Sequence, residues 1–158
     1  MGDSPVEDRM RRVRLFAMDV DGVLTDGSIL LASGGEGQVV EVKAFHVRDG
    51  LAVKWAGRLG IRTAIVTARS SPAVEARARE IGVHRVEMGV THKGQALRRL
   101  AVAEGLDLAA VAYVGDDLAD LPALRCAGLG IAVADACAEV REAAHWVTRT
   151  PGGGGAVR

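Results

Sequence analysis

Aromatic side chains are scarce in this chain: two Trp, one Tyr and two Phe among 158 residues. Platforms that stack unpaired bases need such rings, which argues against nucleic acid as a partner. Neither sign of charge is in excess, with 20 Lys and Arg against 20 Asp and Glu. That balance removes the summed positive field that draws in polyphosphate backbones or anionic membrane surfaces. Cysteine is limited to Cys126 and Cys137, in a late Ala-rich region without metal-ligand spacing. Both read as small buried side chains in a reducing compartment rather than as a disulfide framework. No apolar run approaches the roughly 20 residues of a membrane span, and the charged N-terminus has no signal-peptide hydrophobic region. The expected location is the cytoplasm.

What the chain does have is a repeated alternation of short apolar runs and amphipathic stretches, sized for one domain with a substantial core. Leu15–Met18, Ile61–Val66 and Val111–Val114 read as buried strands, with Val83–Met88, Leu129–Val133 and Trp146–Thr148 as weaker candidates. Helical patterning fills Leu51–Leu59, Ser71–Ile81, Lys93–Glu104, Leu118–Cys126 and Cys137–Ala143, and Gly60, Gly82, Gly105 and Gly128 mark stops. Strand followed by helix, repeated, predicts an α/β fold: a parallel sheet with right-handed crossovers and helices on both faces. Residues 1–12 read as a flexible lead-in, 13–150 as the folded domain and 151–158 as a Gly-rich tail.

Residues 28–45 break the rhythm. An apolar stretch, the turn Gly34-Gly35-Glu36-Gly37, and then Val40, Val42 and Ala44 alternating with Glu41 and Lys43 predict a β-hairpin. A two-stranded ribbon is marginal alone and its edges invite pairing, so an oligomerisation flap is expected rather than a hairpin folded on its own domain.

The densest chemistry lies in VRLFAMDVDGVLTDG, residues 13–27, where Asp19 and Asp21 close the first strand. Open α/β sheets place their ligand crevices at that end of a strand. Two carboxylates a few ångströms apart repel by roughly 1–4 kcal/mol, which invites a hard divalent cation. Thr67 ends another strand, Lys93 opens a helix, and Gly115-Asp116-Asp117 follows a third strand, with Asp120 one helical turn beyond. Taken singly, these are an ordinary cap, a solvated lysine and a turn. In this order, one crevice can collect them all.

On DVDGVLTDG (19–27), KAFHVRDG (43–50), IVTAR (65–69), VAYVGDDLADLP (111–122), AVADA (132–136) and the tail GGGGAVR, the chain resembles the haloacid dehalogenase superfamily of phosphohydrolases. Within it, the chain is similar to the capless branch of 3-deoxy-D-manno-octulosonate 8-phosphate (KDO 8-phosphate) phosphatases. The resemblance implies a three-layer Rossmann-like domain with no cap, the hairpin serving in its place, and homotetramers whose active sites lie at subunit interfaces. It implies Mg²⁺ held by Asp19, the backbone carbonyl of Asp21 and Asp116. Asp19 is the implied nucleophile and Asp21 the proton donor and later acceptor, whose carboxyl must stay free to titrate. Thr67 and Lys93 are then implied phosphate ligands and Asp120 a support for Lys93 or a metal-bound water. Asp117 stays open between a support for the metal and a helix cap. Asp26 and Asp49 read as turn and cap residues, and His46, His84, His92 and His145 lack ligand spacing.

Arg69 stands where KDO 8-phosphate phosphatases carry the arginine of a TGR motif, and its planar fork suits a sugar-acid carboxylate. Two departures accompany it. The motif is Thr67-Ala68-Arg69 here, and Gly154 replaces an arginine that in such relatives reaches a neighbouring active site. The expected activity is hydrolysis of a small phosphate monoester, a keto sugar acid phosphate foremost. The alternative is a weakly active or non-catalytic oligomerisation module.

Overall fold

The computed structural model describes residues 6–158. Six parallel strands form one sheet in the order β5-β4-β1-β6-β7-β8: β1 Leu15–Met18, β4 Arg62–Val66, β5 Arg85–Glu87, β6 Val111–Gly115, β7 Leu129–Ala132 and β8 Trp146–Val147. The hairpin is β2 Leu30–Gly35 with β3 Gln38–Val42, paired antiparallel as a sheet of its own. Helices α1 Val6–Arg12, α2 Val47–Arg58, α3 Pro72–Ile81, α4 Lys93–Ala103, α5 Leu121–Cys126 and α6 Ala138–Ala143 complete the chain. This is the three-layer, capless α/β architecture expected from the alternation of elements.

The strand order fixes where a ligand can enter. From β1 the chain runs outward through β4 to β5, then returns past β1 to β6 and continues to β7 and β8. The direction reverses between β1 and β6, and at such a switch the crossovers diverge and leave a crevice beyond the carboxyl ends of the strands. Asp19 follows β1 and Asp116 follows β6, so both open onto it.

Local chemistry explains the elements. Strands β1, β6 and β7 are covered on both faces, hence near-continuous apolar runs in place of alternation. With few rings to fill space, the core is Val, Leu, Ile and Ala around Tyr113 and Met18. Helix α3 starts with Pro72 and stops at Gly82, whose φ of 74° is left-handed.

Several boundaries differ from the sequence reading. The lead-in is helical over Val6–Arg12, because its acidic first turn and basic last turn complement the helix dipole and Arg9 donates to the Gly128 carbonyl at 2.7 Å; residues 1–5 lie outside the described residues. Helix α2 begins at Val47, four residues earlier than expected, because the His46 side chain accepts from the Arg48 N–H at 3.2 Å and caps it. The stretch 118–126 is a 3₁₀ turn, Leu118–Asp120, followed by α5, since a reciprocal Asp117/Asp120 cap closes the turn ahead of Pro122. The Gly-rich tail is packed against the domain: the N–H groups of Gly152, Gly153 and Arg158 donate to Asp135, the Val23 carbonyl and Asp49 at 2.9, 3.0 and 2.9 Å. Asp49 is therefore a buried tail anchor inside α2, not a cap.

Candidate active site

Strand ends and helix starts bring Asp19, Asp21, Thr67, Arg69, Lys93, Asp116, Asp117 and Asp120 around a cleft of about 280 Å³. Its floor is an ion-pair chain. The Lys93 ammonium, at the first position of α4, lies 2.7 Å from Asp19 Oδ2 and 2.7 Å from Asp120 Oδ1. Asp120 is fully buried, and both its oxygens are committed. Oδ1 also accepts from the Tyr113 hydroxyl at 2.6 Å, and Oδ2 accepts the backbone N–H groups of Asp116 and Asp117 at 3.0 and 3.2 Å.

Carboxylate oxygens of Asp19, Asp116 and Asp120 lie within 4.8 Å of one another, a spacing that can hold a metal ion. Because Asp120 has spent its acceptors on Lys93, Tyr113 and two amides, it braces the lysine, and Asp19 and Asp116 remain to face a cation. Asp19 Oδ1 is buried without a hydrogen-bond partner, a costly state that a cation would relieve. Gly22, with φ of 84°, keeps the loop open at this point: a Cβ there would stand 2.1 Å from Asp116 Oδ2. An all-oxygen donor set of this kind fits Mg²⁺.

The electrostatics agree. Burial, reinforced by the charge of Asp120, raises the Asp19 pKa to about 6 against the pull of Lys93. Burial and the charges of Asp120 and Asp19 raise Asp116 to about 8. These are the two carboxyls that a divalent ion would ionise. Burial disfavours the Lys93 ammonium, yet Asp19 and Asp120 outweigh it and hold the pKa above the usual lysine value. Tyr113, pushed well up by burial and by Asp120, stays a hydroxyl donor.

Thr67 is 2% exposed at the end of β4, where its backbone N–H donates to the Glu87 carbonyl at 2.9 Å and its carbonyl accepts from Val90 at 3.0 Å. The Asp21 side chain stands apart from the acidic cluster, paired with Lys43 and, at 3.7 Å, with Arg69. Arg69 is also paired with Glu41. Asp117 is exposed and caps the 3₁₀ turn, its Oδ1 accepting from the Leu118 N–H at 2.7 Å. Asp26 closes its turn by accepting from the Ser28 N–H at 2.9 Å.

Three neighbours of the site escape sequence reading. Lys43 and Glu41 look like the polar face of a ribbon, and Tyr113 looks like one more core residue. The usable signal was the strand period: residues 41 and 43 share a face, so if one reaches the cleft both do.

Comparisons with known proteins agree with the geometry. The haloacid dehalogenase-like hydrolase family model matches residues 86–157. The 3-deoxy-D-manno-octulosonate 8-phosphate phosphatase KdsC of Escherichia coli K12 is 42% identical over 154 residues, which span 95% of this chain and 78% of the relative. The crystal structure of the Moraxella catarrhalis phosphatase of that name, in complex with magnesium ion, phosphate ion and KDO, superposes with a TM-score of 0.91 at 43% identity, covering 96% of this chain and 85% of that one. A cobalt-bound form of the Haemophilus influenzae enzyme gives a TM-score of 0.88 at 37% identity, over 95% of this chain and 85% of its own. The chain is a phosphatase and belongs to the haloacid dehalogenase-like hydrolases, in the branch of the KDO 8-phosphate phosphatases.

Proposed function

We propose that the protein hydrolyses a keto sugar acid phosphate, KDO 8-phosphate foremost, with Mg²⁺ and through an aspartyl-phosphate on Asp19. The observation that carries this reading is the state of Asp19: one oxygen is held by Lys93 at 2.7 Å, and the other is buried and unpartnered beside Asp116. Asp19, Asp116 and the Asp21 backbone carbonyl would hold the cation, which when bound offsets negative charge on the transferring phosphoryl group.

The protein's own groups supply the rest. The Asp19 carboxylate attacks phosphorus as the ester P–O bond breaks, and Asp21 gives its proton to the departing alkoxide. Water then attacks the aspartyl-phosphate and yields its proton to Asp21, which releases inorganic phosphate and restores both carboxyls. Lys93, locked in place by Asp120, and the Thr67 hydroxyl stabilise the phosphoryl oxygens. Arg69 would meet the sugar-acid carboxylate, exchanging its present carboxylate partners for the substrate's. Residues 13–150 form the catalytic unit, and the 28–45 flap assembles it into a homotetramer that closes the cleft. The hairpin's surface supports that assembly, since Ile29, Leu31 and Val39 are 59, 66 and 68% exposed. The cytoplasm remains the expected setting.

The test is phosphate release from KDO 8-phosphate alongside a panel of neutral sugar phosphates. The expected result is a kcat/KM highest for the sugar acid, lost on chelation and restored by Mg²⁺. Turnover indifferent to chelation removes the metal from the reading, and a preference for neutral sugars removes the acid.

A further inference from the structure

Beside the cleft, paired with Asp21 of its lining, stands a lysine that the chemistry above leaves without a task. Lys43 directly follows β3, and its side chain is only 2% exposed although it stems from a ribbon open to solvent. Its ammonium pairs with Asp21 Oδ1 and lies 3.6 Å from Glu41 Oε1. A buried ammonium is tolerated where carboxylates answer it, and here one of the two is the group assigned to proton transfer. Arg69 approaches the other oxygen of Asp21, Nε to Oδ2 at 3.7 Å, but its side chain is 48% exposed and it is shared with Glu41. Lys43 is thus the firmer of the two holds. The Asp21 side chain stands outside the cluster of Asp19, Asp116 and Asp120 that can take a metal ion.

We propose that Lys43 is a positioning residue for Asp21: it holds that carboxylate apart from the cation site, where it can serve the leaving group, and so makes the base of the hairpin part of the proton-transfer apparatus. The inference rests on Asp21 being the proton donor of the proposed reaction. Without Lys43, Glu41 and Asp21 keep only the half-exposed Arg69 between them, and the Asp21 carboxylate is freer to swing toward the cation. The consequence is selective. Esters with poor leaving groups need the proton, whereas a nitrophenolate departs almost without it.

The experiment compares wild type with Lys43→Met and Lys43→Arg on KDO 8-phosphate, an alkyl ester, and on p-nitrophenyl phosphate. The ratio of the two kcat values within one preparation is read, since it does not depend on the fraction of molecules folded. For Lys43→Met the ratio is expected to fall roughly 10–100-fold, the range for a displaced proton donor, and Lys43→Arg is expected to recover most of it. In an Asp21→Asn background, Lys43→Met should lower the ratio of the two kcat values no further, because a positioning residue has nothing left to position. An unchanged ratio, or an undiminished effect in that background, overturns the proposal and leaves Lys43 a structural anchor. If wild type ignores KDO 8-phosphate but cleaves another alkyl phosphate, the substrate assignment alone fails, and the ratio on that ester decides the lysine's role.

Discussion

In the cleft, Lys93 meets Asp19 and Asp120, and Asp120 in turn meets Tyr113 and two backbone amides, all within one chain. The hairpin beside it leaves Leu30, Leu31, Val39, Val40 and Val42 open to solvent on both strands. The contrast separates what a single copy finishes from what it does not. Charges must be answered locally, because a stray buried ion costs several kcal/mol whatever the assembly does. Apolar surface can wait for a partner, because the loss is spread over area at roughly 25 cal/mol per Å². Lys43 and Glu41 join the two regions, on the face of the ribbon that also carries Val39 and Leu31.

The sharpest way to break that contrast is Asp19→Asn. Turnover should fall on the order of 10⁴-fold or more, as when a nucleophile is removed, while the sedimentation coefficient and the fold stay as they were. Lys93 keeps Asp120 as a partner in that variant. A change of assembly would mean the cleft and the hairpin are not separable after all.

Gly152→Ala comes next. An added Cβ would stand 1.8 Å from the Gly22 carbonyl oxygen, backbone against backbone, so the tail or the loop carrying Asp21 must move. A stability loss of about 1–3 kcal/mol is expected from the overpacking, with kcat lowered about 100-fold if the loop yields by an ångström. At Gly154 the nearest atom to an added Cβ is 3.2 Å away and no positive φ is required, so Gly154→Ala serves as the tolerated control. Urea unfolding and steady-state kinetics of the pair measure both effects, and equal losses at the two positions would dissociate the tail from the nucleophile loop.

A smaller effect follows from the raised carboxyl pKa values of about 6 for Asp19 and about 8 for Asp116. Both groups bind protons more tightly folded than unfolded, so in the absence of cation they subtract stability as pH rises from about 4 toward 8. Mg²⁺ competes with those protons. Its stabilisation of the protein should therefore grow from pH 6 to pH 8, read as the Tm difference with and without Mg²⁺. A Tm gain independent of pH would place the cation away from these carboxyls.

The same contrast explains what the sequence could reveal. Strand-end acids were legible because a buried parallel strand is an uninterrupted apolar run, and whatever polar residue terminates it stands at the crevice. Asp120 was expected one helical turn beyond Asp116, but a strand-end loop and the 3₁₀ turn Leu118–Asp120 carry it to Lys93. Its hydroxyl partner was not legible, since Tyr113 sits in VAYV and nothing in a core strand's pattern says that one ring carries a committed hydrogen bond. The role of Asp49 as tail anchor was hidden for a related reason: its partner, the Arg158 N–H, is more than one hundred residues away, and backbone donors leave no mark in composition. Helix α1 escaped because its support comes from the carbonyl of Gly128, also distant in the chain.

The mildest perturbation tests the hairpin alone. Val39→Asp alters a side chain that is 68% exposed and paired across the ribbon with Ser33. Within one copy, such a surface change should move the unfolding free energy by no more than about 0.5 kcal/mol. In the proposed tetramer the new carboxylate would have to be desolvated against apolar side chains, so that assembly should dissociate, seen as a fall in mass by sedimentation equilibrium. An unaltered mass would remove the hairpin from the interface. Turnover of p-nitrophenyl phosphate, a substrate too small to need a neighbour's groups, should survive the dissociation. If it vanishes with the oligomer, then the cleft is finished only when a second copy closes it, and the division between a self-sufficient site and an open flap falls.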